Sequence, residues 1–222
     1  MNKTIAQIVA SDLRTAIIFN KYGIDFCCSG NRTIYEVCKI IDINSSIVYR
    51  EIDELSNIGA VKYFNTMELD ALIEHIINTH HVFVKKSIPA IKELSNKVIE
   101  VHSQLSPETI EINNAFNELA IDLYSHLEKE EKILFPYIIE NLNNTPNSYR
   151  SLHNPINRME EEHEFAGKQL KKIARMSNNY TPPGHACNTY RTFYYLLEEF
   201  QNDLHIHIHL ENNILFPKAK NL

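Results

Sequence analysis

The spacing of apolar residues divides the chain into two parts with different helical patterns. Near the N-terminus apolar residues recur at helical spacing, at Ile5, Ile8, Val9, Leu13, Ala16 and Ile17. Gly23 favours a stop after this helix, and residues 23–31 are predicted to form a loop. Short helices are expected again over residues 33–40 and 46–55. This pattern predicts a small helical domain over residues 1–65.

Four long segments with helical periodicity follow, and only short connections separate them. They are predicted over residues 67–102, 106–142, 155–176 and 187–216. Long helices joined by short loops are typical of an antiparallel bundle. The sequence therefore predicts an all-α protein with an antiparallel four-helix bundle over residues 66–222.

An eleven-residue pattern occurs twice, on the second and on the fourth long helix. Residues 126–136 and 207–217 both read His-x3-Glu-x2-Ile-Leu-Phe-Pro. The His and Glu of each copy are His126 with Glu130 and His207 with Glu211. Residues four apart lie on the same face of a helix, and the apolar residues that follow indicate that this face is buried. Buried imidazoles and carboxylates need partners, and a shared metal would satisfy all of them.

The symmetry extends to the first and third long helices. His81 and His163 precede the His of their repeat by nearly equal distances along the chain. This even spacing favours His81 over its neighbour His80. Two related helical hairpins would place four imidazoles and two carboxylates in the bundle core, a set that suits two iron ions bridged by both glutamates. The remaining histidines are expected to be structural or at the surface: His75, His80, His102, His153, His185, His205 and His209.

Two acidic residues lie next to the predicted ligands. Glu162 directly precedes His163, and Asp122 lies one turn before His126. Either is a candidate to orient a ligand or to handle protons. The alternative is that both belong to a solvated helix face.

Composition and cysteine usage narrow the function classes. The net charge is −6 and no basic cluster is present, which excludes nucleic acid as a partner. No apolar run has membrane-spanning length and the N-terminus lacks a secretory pattern, so a cytoplasmic protein without a membrane partner is expected.

Four cysteines, two of them adjacent, do not form a disulfide framework. Cys27 and Cys28 are either accessible, reactive thiols or small residues packed under the small domain.

These motifs resemble the family of di-iron iron–sulfur cluster repair proteins, which join a double-cysteine helical domain to a hemerythrin-like domain. The resemblance rests on residues 22–30, 159–163 and 182–187, on His81 and on both repeats. It implies a hemerythrin-like bundle preceded by a small helical domain, with two non-haem iron ions bridged by oxo and carboxylate groups. The implied metal ligands are His81, His126, Glu130, His163, His207 and Glu211. The implied functional thiols are Cys27 and Cys28, although Ser29 stands where the family usually has a glycine.

The resemblance further implies repair of iron–sulfur clusters damaged by nitric oxide or oxidative stress, by donation of iron. Damaged iron–sulfur proteins would be the macromolecular partners, with nitric oxide or oxygen as small ligands. A repair or iron-donating protein is favoured over a conventional enzyme. Two alternatives stay open: a hemerythrin-like carrier or sensor of oxygen or nitric oxide, and a nitric oxide reductase or peroxidase. The sequence also leaves open whether the chain forms a homodimer.

Overall fold

A computed structural model describes residues 3–56, 64–143 and 151–222. Regular structure in these ranges is helical, as the periodicity predicts. The α-helices are α1 Ile5–Ser11, α2 Thr15–Lys21, α3 Ile34–Ile40, α4 Ser45–Ser56, α5 Leu69–Ile76, α6 Val82–His102, α7 Glu108–Lys129, α8 Phe135–Asn143, α9 His153–Met176, α10 Asn188–Leu210 and α11 Phe216–Lys220. A 3-10 turn spans Phe64–Thr66.

The chain forms two compact units. The N-terminal unit comprises Met1–Glu74 together with His205–Leu222, and the bundle unit comprises His75–Leu204. The domain boundary predicted after residue 65 stays a prediction, because the residues just before it lie outside the described ranges.

Local sequence signals account for the short helices of the N-terminal unit. Thr4 and Thr33 each accept a hydrogen bond from the backbone of the residue three positions on, and the Gln or Glu there bonds back to the threonine N–H. These are capping boxes, which satisfy N–H groups that the first helical turn leaves open. Gly23 ends α2 with a φ of +64°, a conformation that suits glycine, as the predicted stop requires.

The bundle unit contains the antiparallel four-helix bundle, with α6 and α9 both packed against α7. Each helix buries one apolar stripe, as expected for amphipathic helices around a shared core. Fully buried members of these stripes include Val84, Ile91, Ile112, Phe116, Leu119, Ile173, Phe193 and Phe200. Among the described residues, no helix combines the length and apolar character needed to cross a membrane.

Three π-helical turns interrupt the long helices that the sequence predicts as continuous. They span Ile77–His81, Glu130–Leu134 and Glu211–Leu215. In the last two, Phe135 N–H and Phe216 N–H each donate to the carbonyl five residues back. These last two π-helical turns therefore end beside the Phe-Pro of a repeat.

The repeats themselves explain the widened turns. From the His of each copy onward, four residues are buried at intervals of four, the last of them just beyond the repeat. They are His126, Glu130, Leu134 and Ile138, and His207, Glu211, Leu215 and Ala219. On an ideal α-helix, four residues rotate by about 400°, which is about 40° more than a full turn, so a set with this spacing drifts around the helix. A wider turn offsets this drift and keeps the set on one face. The proline after each phenylalanine has no N–H, so it cannot continue the α-helical hydrogen bonds at that point.

Candidate metal centre

Four of the predicted ligands converge within the bundle unit. His81, His126, Glu130 and His163 are all buried, none more than 3% exposed. The Glu130 carboxylate lies between two imidazoles, with Oε2 3.4 Å from His81 Nε2 and Oε1 3.2 Å from His126 Nε2. His163 Nε2 lies 3.0 Å from His126 Nε2. These ring nitrogens therefore face one another rather than bulk water.

Two carboxylates hold the outer nitrogens of these imidazoles. His81 Nδ1 is 2.8 Å from Glu131 Oε1, and His126 Nδ1 is 2.9 Å from Glu162 Oε2. A carboxylate at Nδ1 favours the tautomer that carries its proton there, which leaves the Nε2 lone pair directed inward. This carboxylate–histidine arrangement is typical of histidines that bind metals.

Both outer carboxylates stay ionised. The hydrogen bond with His126 outweighs burial and, together with that from Lys129, lowers the pKa of Glu162 to about 2. Burial acts to raise the pKa of Glu131, but hydrogen bonds from Lys85 and His81 outweigh it and lower the pKa. Each carboxylate is thus an acceptor for its imidazole at neutral pH.

The other two predicted ligands belong to the N-terminal unit. His207 lies in the last turn of α10, and Glu211 opens the following π-helical turn. Both are fully buried. His207 Nε2 lies 3.1 Å from Glu211 Oε1, so the two side chains share a helix face as their spacing predicts.

Each unit contributes buried ligand atoms of the same chemistry. In the bundle unit, three imidazoles surround the Glu130 carboxylate. In the N-terminal unit, His207 and Glu211 add one imidazole and one carboxylate on one helix face. Imidazole and carboxylate donors without a thiolate fit iron, and burying them costs free energy unless they are paired. The donor set therefore fits two iron ions.

A cavity of about 400 Å³ adjoins His126 and His163. The candidate acids Asp122 and Glu162 both line it, and Lys129 lies in the same wall. Of the two acids, Glu162 contacts a predicted ligand directly, through His126 Nδ1. Asp122 is placed in the cavity wall.

Sequence reasoning missed two acidic partners. Glu131 bonds His81, and only its position next to Glu130 could have pointed to it. Asp203 Oδ1 lies 2.9 Å from His80 Nδ1. Asp203 precedes His207 by one turn, as Asp122 precedes His126. An alignment of the two repeats could therefore have identified Asp203 as a further candidate. The contact agrees with a structural role for His80.

The two adjacent cysteines differ in exposure. Cys27 is buried and Cys28 is partly exposed, with their sulfur atoms 3.7 Å apart. The hydrogen bond with Cys28 and desolvation raise the pKa of Cys27 well above its usual value. Asp25 Oδ1 accepts the Cys28 N–H at 2.9 Å, and Asp25, Cys27 and Cys28 form a further group with ligand atoms within 4.8 Å. One thiol is therefore packed in the unit and the other is reachable.

Residues next to the second repeat's ligands hold this cysteine loop. The side-chain amides of Asn212 and Asn213 donate to the Cys27 carbonyl at 3.3 and 3.1 Å. His209 Nδ1 lies 3.3 Å from the Phe26 carbonyl, and desolvation lowers the pKa of His209 to about 4, so its ring is neutral. His209 is thus structural, as expected.

The loop itself requires a glycine at position 30. A Cβ on Gly30 would lie 2.4 Å from the Phe26 carbonyl oxygen and 2.8 Å from Ala6 Cβ. The Ser29 N–H donates to Asp25 Oδ1 at 3.3 Å. Ser29 is therefore accommodated, although the family usually has glycine there.

Comparisons with known proteins match both parts of the chain. The family described as Hemerythrin HHE cation binding domain matches residues 72–219, and a Domain of Unknown function (DUF542) matches residues 1–56. Proteins named iron-sulfur cluster repair protein YtfE are similar over 98% of this chain and 96% of their own length. The identity is 32% for those of Enterobacter sp. (strain 638) and Musicola paradisiaca (strain Ech703), and 31% for that of Escherichia coli O157:H7.

These matches confirm the predicted hemerythrin-like bundle and the predicted cofactor, two non-haem iron ions. Matches over nearly the full length include both the double-cysteine domain and the bundle. The chain therefore belongs to the YtfE family of iron–sulfur cluster repair proteins.

Proposed function

We propose that this protein repairs damaged iron–sulfur clusters by donating iron from a di-iron centre. The observation that carries the proposal is the set of six buried His and Glu side chains, with Glu130 among three imidazoles in the bundle unit and His207 paired with Glu211 in the N-terminal unit. The repair function printed in the names of the relatives supports it.

The symmetry of the two repeats suggests how the ligands divide between the metals. The four imidazoles of His81, His126, His163 and His207 would supply two ligands to each iron, and the carboxylates of Glu130 and Glu211 would serve both. When bound, the iron pair supplies transferable metal and a site for nitric oxide chemistry.

The surrounding residues orient the ligands and limit how tightly iron is held. Glu131 and Glu162 fix the imidazoles of His81 and His126 through their Nδ1 atoms. The proposed ligand set contains only two carboxylates, fewer than a ferritin-type site. Lower negative charge among the ligands favours release of iron to an acceptor. Glu162, which stays ionised, would orient His126, and Asp122 lines the cavity beside it.

The cysteine loop is the proposed thiol component of the transfer. Cys28 is reachable from solvent and Cys27 lies beside it. Thiolates bind iron, so the pair could bind it transiently on its way to a damaged cluster. We place the protein in the cytoplasm, acting under nitric oxide or oxidative stress on damaged iron–sulfur proteins.

Iron content and iron transfer test the proposal together. The purified protein should hold two irons per chain with the visible absorption of a di-ferric centre. It should also reactivate a [4Fe–4S] hydro-lyase inactivated by nitric oxide. A double Cys27→Ser and Cys28→Ser variant should keep its iron and lose reactivation. Iron-loaded protein that never restores the hydro-lyase would contradict repair, and unchanged repair by the double variant would contradict the thiol role.

Binding of nitric oxide or oxygen is the second candidate, because the cavity beside His126 and His163 provides access for a small molecule. A reversible adduct, seen as a spectral change that disappears on removal of the gas, would favour this function. Reactivation of the hydro-lyase without such an adduct would favour repair. Catalytic loss of nitric oxide with an electron donor would instead indicate a reductase.

A further inference from the structure

The segment at residues 182–187 has no part in the iron centre or the cysteine loop. It leads into α10 within the bundle unit. The Arg191 N–H donates to the Cys187 carbonyl at 3.0 Å, so Cys187 is the N-cap residue directly before the helix. Its side chain is exposed, and it is not in a disulfide.

A buried histidine contacts this exposed thiol. His102 Nε2 lies 3.2 Å from Cys187 Sγ. The His102 side chain is packed against the Tyr190 ring, with centroids 5.3 Å apart, and the residue is only 8% exposed. The imidazole is therefore held in one position next to the sulfur.

The two side chains come from opposite ends of two long helices. His102 lies in the last turn of α6, and Cys187 directly precedes α10. The ends of these two helices thus place an imidazole and a thiol in direct contact.

Neighbouring groups argue for a nucleophile with a base rather than a metal site. Among the described residues, no third His, Cys, Asp or Glu joins this pair within the distances of a metal site. His185, the nearest other imidazole, bonds Ser106 Oγ through Nε2 at 3.1 Å. Cys27 and Cys38 are buried, so neither thiol is as accessible as that of Cys187.

We propose that Cys187 is a nucleophilic thiol that undergoes exchange with small disulfides, with His102 as its base. The Cys187 sulfur attacks one sulfur of the disulfide and forms a new S–S bond. The old S–S bond breaks, and its electron pair leaves on the second sulfur as a thiolate. The Cys187 proton moves to His102 Nε2 and then to the departing thiolate, so no additional oxidant or reductant is needed.

The rate of reaction with the aromatic disulfide DTNB tests this proposal on the reduced, full-length protein. Mass spectrometry of digests assigns each labelled site, and Cys187→Ser confirms the assignment. Cys187 should react about tenfold faster than Cys28, and urea-unfolded protein should lose this difference. Equal rates for Cys187 and Cys28 in the folded protein would overturn the proposal.

A second comparison isolates His102. The His102→Ala variant should slow Cys187 labelling about tenfold, and added imidazole should restore part of the rate. His185→Ala is the matched control and should change the rate less than about twofold, since His185 bonds Ser106 instead. An unchanged rate in folded His102→Ala, or a loss that imidazole does not restore, would contradict the role of His102 as base.

Discussion

The first copy of the repeat, residues 126–136, lies in the bundle unit, and the second copy, residues 207–217, lies in the N-terminal unit. In both copies the His and Glu are buried, and a π-helical turn begins at the Glu. Their outer faces differ. Glu128 and Lys132 of the first copy form an exposed pair on one helix.

The corresponding positions of the second copy are covered by the cysteine loop. His209 stands where the first copy has Glu128, and Asn213 stands in place of Lys132. His209 is fully buried, and Asn213 donates to the Cys27 carbonyl. Glu131 and Asn212 also differ, because the first bonds His81 and the second bonds the loop. The two copies share the face with the candidate ligands. On the opposite face their residues differ, because one copy faces solvent there and the other contacts the cysteine loop.

The largest expected effect is loss of iron when either shared carboxylate is altered. Glu130→Gln and Glu211→Gln should each reduce bound iron from two per chain toward none, because each carboxylate is proposed to bind both ions. Metal analysis of the purified variants measures this directly. Glu128→Gln is the matched control and should retain both ions, and a Glu211 variant that also retained both would break the equivalence of the two copies.

A smaller effect is expected one residue further along each copy. Glu131→Gln should weaken iron binding about 10- to 100-fold, since the His81 imidazole loses its anionic acceptor. Asn212→Ala should leave iron affinity unchanged. Competition with a chelator measures both affinities. Equal weakening in the two variants would show that the outer faces do not differ in the way described.

Removal of the amide at Asn213 should affect the cysteine loop without affecting iron. Asn213→Ala loses one hydrogen bond to the Cys27 carbonyl and should destabilise the protein by about 1 kcal/mol. Urea unfolding measures the free energy, and alkylation followed by mass spectrometry should show faster labelling of Cys27. If Cys27 stays unlabelled at the wild-type rate, Asn213 does not hold the loop closed.

The smallest effect is expected at the equivalent position of the first copy. Lys132→Ala breaks an ion pair with Glu128 in which both side chains are largely exposed to water. Such pairs often contribute nothing measurable. Thermal unfolding and iron content should therefore match the wild type, and a clear drop in Tm would mean that Lys132 has a further contact.

The buried face that carries the candidate ligands could be predicted from the sequence, because a metal site would constrain residue type and spacing together. His and Glu four residues apart, repeated with an upstream His81 or His163, leave little freedom for another arrangement. The small helices near the N-terminus were predicted less completely. The apolar pattern from Ile5 to Ile17 indicated one helix before Gly23, whereas the structure has α1 and α2 with a break at residues 12–14.

The outer faces could not be predicted in the same way. A polar residue such as Asn213 fits a solvated face or a face that hydrogen-bonds a loop, and periodicity does not separate the two. The change from Glu128 and Lys132 to His209 and Asn213 could have indicated that this face is covered in the second copy, because it replaces two charged residues that resist burial. The partner of His81 was missed because Glu131 looks like one more exposed acid.

The π-helical turns at Glu130 and Glu211 also bear on where these helices can change in length. Such a turn holds about one residue more than an α-helical turn, so removal of one residue would restore a regular α-helix and leave later residues near their present face. Phe135 and Phe216, both buried, would then stay in the core. The same deletion within the regular part of α7 or α10 would rotate everything beyond it by about 100°, so a one-residue change of length is better accommodated at these two turns.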